Sequence, residues 1–182
     1  MRLFVGIALT SEVQGALESW VNDLRATFPG LRWSLPEQWH VTLQFLGETD
    51  EARYACVVER LHGIRAQAVD IQLDEPGLFE RVGVFHVAVR TTVSLIALHD
   101  ETEQALMACG FQPEARAYAP HITLARRKGR GRSLEFEQLK KSVRNRTASN
   151  LPSFSAKEFL LYQSFTNPLG SRYEVRERFP LM

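Results

Sequence analysis

Residues 40–46 (HVTLQFL) and residues 121–125 (HITLA) decide the fold. In both stretches a histidine is followed two residues later by a threonine, and apolar residues occupy the positions next to them. Side chains at positions i and i+2 of a strand share one face, so this alternation predicts two half-buried strands. Each strand would present an imidazole and a hydroxyl on one face and anchor itself through the apolar side chains of the other.

The surroundings of the two motifs repeat along the chain. A shift of 81 residues lays LFVGIAL, from Leu3, on VFHVAVR, from Val84, and His40 on His121. This similarity indicates an internal duplication of a strand, helix, strand unit. Two such units predict pseudo-symmetric lobes whose histidine motifs meet in one cleft. No linker rich in Pro, Gly or Ser separates the halves, so we expect residues 1–182 to form a single compact domain.

The other elements are predicted from apolar periodicity and turn residues. Ser11 and Gln14 predict a capping box for a first helix that ends before residues 28–30. A third helical stripe is expected to stop at Gly110. Further predictions are extended pieces at 31–34 and 69–74, a second helix at 51–65, and a C-terminal hairpin of 154–165 with 173–179, joined by a turn at 167–170.

Composition favours a globular protein, because 45% of the residues are hydrophobic and 24% are charged. No apolar run approaches the roughly 18 to 20 residues that span a bilayer, so no membrane segment is expected. Cys56 and Cys109 lie in helix-like segments without metal-ligand spacing. They predict reduced, buried thiols and a cytoplasmic location. A monomer is the default expectation.

Positive charge is concentrated in residues 126–146. This segment holds nine basic residues against two acidic ones, a net charge of +7, whereas the whole chain carries +1. Such a segment suits an anionic partner, of which a polyphosphate backbone is the commonest. The alternative is an ordinary solvated loop and helix face.

The motif residues favour chemistry at phosphorus. In-line displacement needs a base at the attacking oxygen and an acid at the leaving oxygen, and histidine titrates near neutrality. Threonine hydroxyls could donate to the non-bridging oxygens as negative charge develops. Neither an HExxH pattern nor paired cysteines are present, so neither a metal nor another cofactor is expected. His62, His86 and His99 lie outside the motifs and are assigned structural roles.

The sequence resembles the 2H phosphoesterases, in the branch called RNA 2′,3′-cyclic phosphodiesterase or 2′-5′ RNA ligase. The resemblance spans nearly the whole chain and includes RLFVGIAL, WHVTLQFLGE, PHITLAR and YQSFTNPLGSRY. It implies a bilobal α+β fold with antiparallel sheets facing across a central cleft. It also implies hydrolysis of RNA 2′,3′-cyclic phosphate ends to 2′-phosphomonoesters, with a reverse reaction that joins RNA through a 2′-5′ bond.

Residue by residue, the resemblance makes His40 the proton donor to the leaving 3′-oxygen and His121 the acceptor that activates water. Thr42 and Thr123 would hold the phosphate. Arg126 matches a phosphate-contacting arginine, but strand parity turns it away from His121, so a bulge or the strand's end would have to redirect it.

Further substrate contacts are expected from Phe45, stacked on a base, and from the basic residues Arg127, Lys128 and Arg130. By strand parity Phe45 faces the core instead, with Val41 and Leu43, which leaves both interpretations open. Two alternative functions also remain: a non-catalytic module that binds RNA ends, and a phosphodiesterase acting on a small cyclic nucleotide.

Overall fold

The computed structural model describes residues 1–129, 131–167 and 170–182. Within these ranges the chain forms four α-helices, ten strands and a short 3₁₀ turn at Pro36–Gln38. The helices are α1 (Ser11–Thr27), α2 (Glu51–His62), α3 (Val93–Met107) and α4 (Leu134–Val143). The strands are β1 (Arg2–Ala8), β2 (Arg32–Trp33), β3 (His40–Glu48), β4 (Val69–Ile71), β5 (Leu73–Phe79), β6 (Val84–Val89), β7 (His121–Arg126), β8 (Phe154–Ala156), β9 (Glu158–Asn167) and β10 (Gly170–Pro180).

The strands form two four-stranded sheets and a two-stranded ribbon. One sheet has the order β10-β9-β1-β3, the other has the order β2-β7-β6-β5, and the ribbon pairs β4 with β8. Every one of these pairings is antiparallel. The predicted α+β fold built on antiparallel sheets is therefore confirmed.

The two motif strands occupy equivalent places in their sheets. β3 pairs with β1 so that His40 lies opposite Ala8, and β7 pairs with β6 so that His121 lies opposite Ala88. The motif histidines are 81 residues apart, but their cross-strand partners are 80 apart. The duplication predicted from the sequence is present, and its alignment of β1 with β6 was one residue out of register.

The apolar faces of β3 and β7 enter one continuous core. Val41, Leu43, Ile122 and Leu124 are at most 3% exposed and belong to the same buried cluster. Full burial of one such side chain contributes roughly 1.5–3 kcal/mol. This burial orients the opposite faces of the two strands. That the two halves unfold as one domain stays a prediction.

A segment of the first half completes the sheet of the second half. β2 pairs with the end of β7, where Arg32 lies opposite Arg126. The pairing continues past β2, because the amide of Ser34 donates to the carbonyl oxygen of Leu124 at 2.8 Å. The chain leading into the His40 motif is thereby bonded to the strand that carries the His121 motif.

The helices agree with the predicted periodicity except at their ends. Helix α1 is capped by Thr10, which is extended and accepts a hydrogen bond from the amide of Val13 at 3.4 Å. The predicted capping box at Ser11 was therefore wrong by one residue, because Ser11 is already helical. The chain turns at Gly110, with φ of +82°, as predicted for a stop after α3. No helix among the described residues is long and apolar enough to cross a bilayer.

The C-terminal hairpin is confirmed, since β9 and β10 pair along their length beside β1. Positions 168 and 169 of the predicted turn lie outside the described residues. The sequence missed most of β5, which contains Pro76 and Gly77. These residue types are rare in strand interiors, but β5 is the outer strand of its sheet, where a missing amide donor is tolerated.

The expectation of two reduced thiols was wrong. Cys56 of α2 and Cys109, just beyond α3, form a disulfide across 53 residues of sequence. Helix-like context and the absence of metal spacing gave no indication of this pairing, because α2 and α3 come together only through the tertiary fold. The bond links the helix that follows β3 to the helix that precedes β7.

Reduction of the Cys56–Cys109 disulfide should lower the free energy of unfolding by about 2–4 kcal/mol, because it frees a loop of 53 residues in the unfolded chain. Urea denaturation with and without reductant measures this difference. The double variant Cys56→Ala/Cys109→Ala is the control and should not respond to reductant. Two titratable thiols in the unreduced protein, with unfolding insensitive to reductant, would contradict the disulfide.

Candidate active site

Four motif side chains line one cleft between β3 and β7. His40, Thr42, His121 and Thr123 are all partly exposed, whereas the residues between them are buried. The phenol of Tyr118, just before β7, donates to the carbonyl oxygen of Thr42 at 3.0 Å, which bonds the two motif segments to each other. Positive charge on His121 lowers the pKa of His40, so the two imidazoles lie within electrostatic reach.

The two histidines are held by matching hydrogen bonds. Nδ1 of His40 lies 2.7 Å from the carbonyl oxygen of Gln38, and Nδ1 of His121 lies 2.8 Å from that of Ala119. A backbone carbonyl can only accept, so Nδ1 must carry the proton and donate in both rings. Each imidazole therefore keeps Nε2 for exchanging a proton with a bound molecule.

A β-bulge follows the threonine in both motif strands. The pairing of β3 with β1 skips Leu43, and the pairing of β7 with β6 skips Leu124. Each bulge adds one residue and reverses the alternation beyond it. The next two residues therefore follow the same order in both strands, one buried and then one exposed.

These bulges turn Phe45 and Arg126 to the face of the histidines. Phe45 is 60% exposed, and its ring centroid lies 6.0 Å from that of Phe4, which in turn lies 4.6 Å from His40. The expectation that Phe45 packs in the core was wrong, because parity was counted through a strand assumed to be regular. Arg126 is exposed, and its charge lowers the pKa of both His40 and His121, as the redirecting bulge requires.

Both motif histidines are disfavoured in their charged form. Burial lowers the pKa of His40 from 6.5 to about 4, and the positive charges of His121 and Arg126 lower it further, while the bond to Gln38 acts in the opposite direction. Burial also lowers the pKa of His121, again assisted by Arg126 and opposed by the bond to Ala119. Without a ligand, both rings are neutral at neutral pH.

The two imidazoles have different neighbours. His40 lies among aromatic rings, with centroids 4.6 Å from Phe4, 5.2 Å from Tyr173 and 5.8 Å from Tyr162. His121 instead contacts the ring of Phe79 at 4.9 Å and that of His86 at 5.3 Å. The sequence identified none of these neighbours, because they come from β1, β5, β6, β9 and β10, which meet the motifs only through sheet pairing.

The basic segment is only partly available to a ligand. Lys140 pairs with Glu80, and Arg146 pairs with Asp23, so two of its cations are engaged within the molecule. Lys128 is exposed. Arg130 lies outside the described residues. The remaining predicted substrate-binding residue, Arg127, packs its side chain against Gly83 in the turn between β5 and β6.

The other two non-motif histidines lie in packing positions. His62 on α2 contacts the ring of Phe179 at 4.7 Å, and His99 on α3 stacks on Tyr118 at 3.9 Å. Within the part of the chain that the structure describes, no three His, Cys, Asp or Glu side chains are grouped as they would be to hold a metal ion.

The chain belongs to the LigT-like phosphoesterase family, whose model matches residues 7–86 and 88–173. An RNA 2′,3′-cyclic phosphodiesterase of Aeropyrum pernix is 35% identical over 143 residues, covering 76% of this chain and 80% of that protein. One of Geobacillus stearothermophilus is 28% identical over 184 residues, covering 98% of this chain. The chain spans only 57% of the length of that second relative.

Solved structures show the same fold. A phosphoesterase crystal structure is 27% identical with a TM-score of 0.80, covering 99% of this chain and 97% of the other. E. coli LigT in its apo form gives a TM-score of 0.81 at 24% identity, covering 99% and 96%. A complex of E. coli LigT with 3′-AMP is 25% identical with a TM-score of 0.80, covering 99% and 97%. The family inferred from the motifs is thus confirmed.

The low pKa of His40 can be tested by titration. We expect His40 to remain neutral until the pH approaches about 4, because burial opposes its charging. The unfolded state binds that proton near pH 6.5. The free energy of unfolding should therefore fall as the pH drops from 6.5 towards 4, with the contribution fully present above 6.5.

Histidine NMR between pH 3.5 and 8, combined with urea denaturation at the same pH values, measures both effects. His40→Gln removes the titrating ring and should weaken the acid-dependent loss of stability. A His40 midpoint at or above pH 6.5 in the ligand-free protein would contradict its burial in the neutral form.

Proposed function

We propose that this chain hydrolyses RNA 2′,3′-cyclic phosphate ends to 2′-phosphomonoesters by acid and base catalysis from His40 and His121, without a metal ion. The observation that carries the proposal is the matched pair of Nδ1 hydrogen bonds, which leaves Nε2 of both rings for the reaction. The relatives named RNA 2′,3′-cyclic phosphodiesterase support the same substrate class.

The proposed reaction is an in-line displacement at phosphorus. Nε2 of His121 takes a proton from water as the water oxygen bonds to phosphorus. The bond from phosphorus to the 3′-oxygen breaks, and Nε2 of His40 gives that oxygen a proton. The products are a 2′-phosphomonoester and a free 3′-hydroxyl. General acid and base assistance is typically worth about 10² to 10⁴ in rate for each group.

Hydroxyl and guanidinium groups would stabilise the charge that develops on the non-bridging oxygens. Thr42 and Thr123 share the faces of the histidines, and the bulge directs Arg126 to the same face. These donors replace the electrostatic assistance that a metal ion supplies in other phosphodiesterases.

The direction of proton transfer follows the family resemblance and makes a specific demand on the bound state. A proton donor must be charged before the reaction, but burial lowers the pKa of free His40 to about 4. The bound cyclic phosphate is an anion, and a nearby negative charge favours the imidazolium form. We therefore propose that substrate binding itself raises the pKa of His40 and charges the donor.

RNA would extend from the cleft across exposed aromatic and basic side chains. Phe45 offers an exposed ring on the histidine face, where a base can stack. Arg127, Lys128 and Arg130 are proposed to contact the RNA backbone. Among the described members of this set, Lys128 is exposed and Arg127 is partly covered, so Lys128 should contribute more.

The same site would run the reverse reaction when a 5′-hydroxyl replaces water, which joins RNA ends through a 2′-5′ bond. We also propose that the protein acts as a monomer in the cytoplasm. A reducing cytoplasm would hold it in the dithiol form rather than with the Cys56–Cys109 bond formed.

The variants His40→Ala and His121→Ala should each lower kcat by about 10² to 10⁴, because each removes one proton-transfer group. The assay uses an RNA ending in a 2′,3′-cyclic phosphate, in EDTA, and identifies the product as a 2′ or 3′ monoester. His62→Ala is the matched control and should remain active. Binding without turnover by the wild-type protein would support a non-catalytic RNA-end-binding module instead.

A substrate with sulfur in place of the leaving 3′-oxygen assigns the two histidines. A thiolate leaves without protonation far more readily than an alkoxide, so the variant that lacks the donor should regain most of its rate. We expect rescue of His40→Ala and none of His121→Ala. The opposite pattern would exchange the two roles and leave the reaction class intact.

Replacing both Arg127 and Lys128 by serine should weaken RNA binding and reduce its salt dependence by about one unit of slope for each phosphate that is no longer neutralised. The double variant Arg2→Ser/Arg60→Ser changes the net charge equally and is the control. Turnover of a cyclic mononucleotide should not respond. An unchanged RNA salt slope, with mononucleotide turned over as well as RNA, would favour a small-nucleotide phosphodiesterase.

A further inference from the structure

His86 is a buried imidazole beside the cleft that the proposed reaction leaves without a role. It is 7% exposed, and its Nδ1 is among the buried polar atoms of the described residues that have no hydrogen-bond partner. Gln44 and Thr102 also bury unpartnered oxygens, and Trp39 buries an unpartnered ring nitrogen. Of these four residues, His86 contacts a motif histidine.

Sheet pairing places His86 between the motif strand and a glycine. In the middle of β6, His86 lies opposite Thr123 of β7 on one side and opposite Gly77 of β5 on the other. A Cβ at Gly77 would come within 2.8 Å of Nε2 of His86. The imidazole therefore occupies space that only a glycine at position 77 leaves open.

Three rings close on each other at this point. His86 stacks on Phe79 at 4.0 Å with 19° between the ring planes. Both rings contact His121 edge-on, His86 at 5.3 Å and 65° and Phe79 at 4.9 Å and 84°. Together with the Nδ1 bond to Ala119, these contacts hold the imidazole of His121 on two sides.

The other half of the molecule has no equivalent. In the pairing of β1 with β3, Gly6 lies opposite Thr42, as His86 lies opposite Thr123. A Cβ at Gly6 would meet the carbonyl oxygen of Val41 at 2.8 Å, so no side chain fits there. The imidazole at position 86 is thus a feature of the His121 side alone.

His86 stays uncharged while His121 works. Burial lowers the pKa of His86 to about 4, and positive charge on His121 lowers it further. The groups that face it are His121 and Thr123 on β7 and the ring of Phe79 on β5. A neutral ring beside His121 can restrain it without repelling the imidazolium that forms when His121 accepts a proton.

We propose that His86, stacked on Phe79, is a positioning residue that holds the imidazole of His121 in the orientation that aims Nε2 at the substrate. The inference rests on the proposed function, since it assigns His121 a reacting nitrogen. The restraint comes from the shape of the ring, so an aromatic residue without nitrogen should replace it. Displacement of a reacting group by about 1 Å can cost up to 10²-fold in rate.

The test compares His86→Ala, His86→Phe and Gly77→Ala with wild type, each first checked for a native circular dichroism spectrum and melting temperature. His86→Ala should lower kcat by about 10- to 100-fold while KM changes less than about threefold. His86→Phe should recover most of kcat. Gly77→Ala leaves the histidine in place but displaces its ring and should also lower kcat, whereas Gly77→Ala/His86→Ala should be no worse than His86→Ala.

NMR of His121 gives a second measurement that a purely structural role would not move. Its ring resonances should shift in His86→Ala and return towards wild type in His86→Phe. Full activity of His86→Ala, or a Phe variant as impaired as the Ala variant, would overturn the positioning role. Failure of the proposed function is distinguishable, because it would appear as an inactive wild type or as an active His121→Ala.

Discussion

The structure depends on one constraint, the burial of alternate side chains along β3 and β7. Val41, Leu43, Ile122 and Leu124 enter the core shared by the two sheets, and each is at most 3% exposed. Because a strand turns successive side chains to opposite faces, their burial places both histidines and both threonines in the cleft. The polar face needs no separate stabilisation for its direction, and hydrogen bonds from Nδ1 to backbone carbonyl oxygens complete the orientation of the two rings.

The same low-polarity surroundings that fix the histidines also lower their basicity. Burial is the largest cause of the lowered pKa of both His40 and His121, and Arg126 adds to it from the mouth of the cleft. A site that disfavours imidazolium in the free state is complementary to an anion, because a bound phosphate removes the penalty for charging one ring. The arrangement therefore couples binding of a phosphate to the protonation that the proposed reaction requires.

The fold and the motif residues could be predicted from the sequence because both rest on local alternation and on a visible duplication. The errors came where geometry departs from regular alternation or from local sequence. The bulges at Leu43 and Leu124 reverse parity, which concealed the exposure of Phe45. The one-residue offset between β1 and β6 concealed the equivalence of Gly6 and His86, and the Cys56–Cys109 bond joins helices that only the tertiary fold brings together. The ion pairs of Lys140 and Arg146 likewise involve residues distant in sequence.

The central claim is that both Nε2 atoms serve one phosphorus atom. Nitrogen-15 NMR of the two motif histidines during titration with a nucleoside 2′-monophosphate, in chelator, tests it directly. The account predicts that the Nε2 resonances of His40 and His121 both shift and saturate with a single Kd, while Nδ1 of each ring remains protonated. A response from one histidine alone, or two unrelated binding curves, would contradict a shared site.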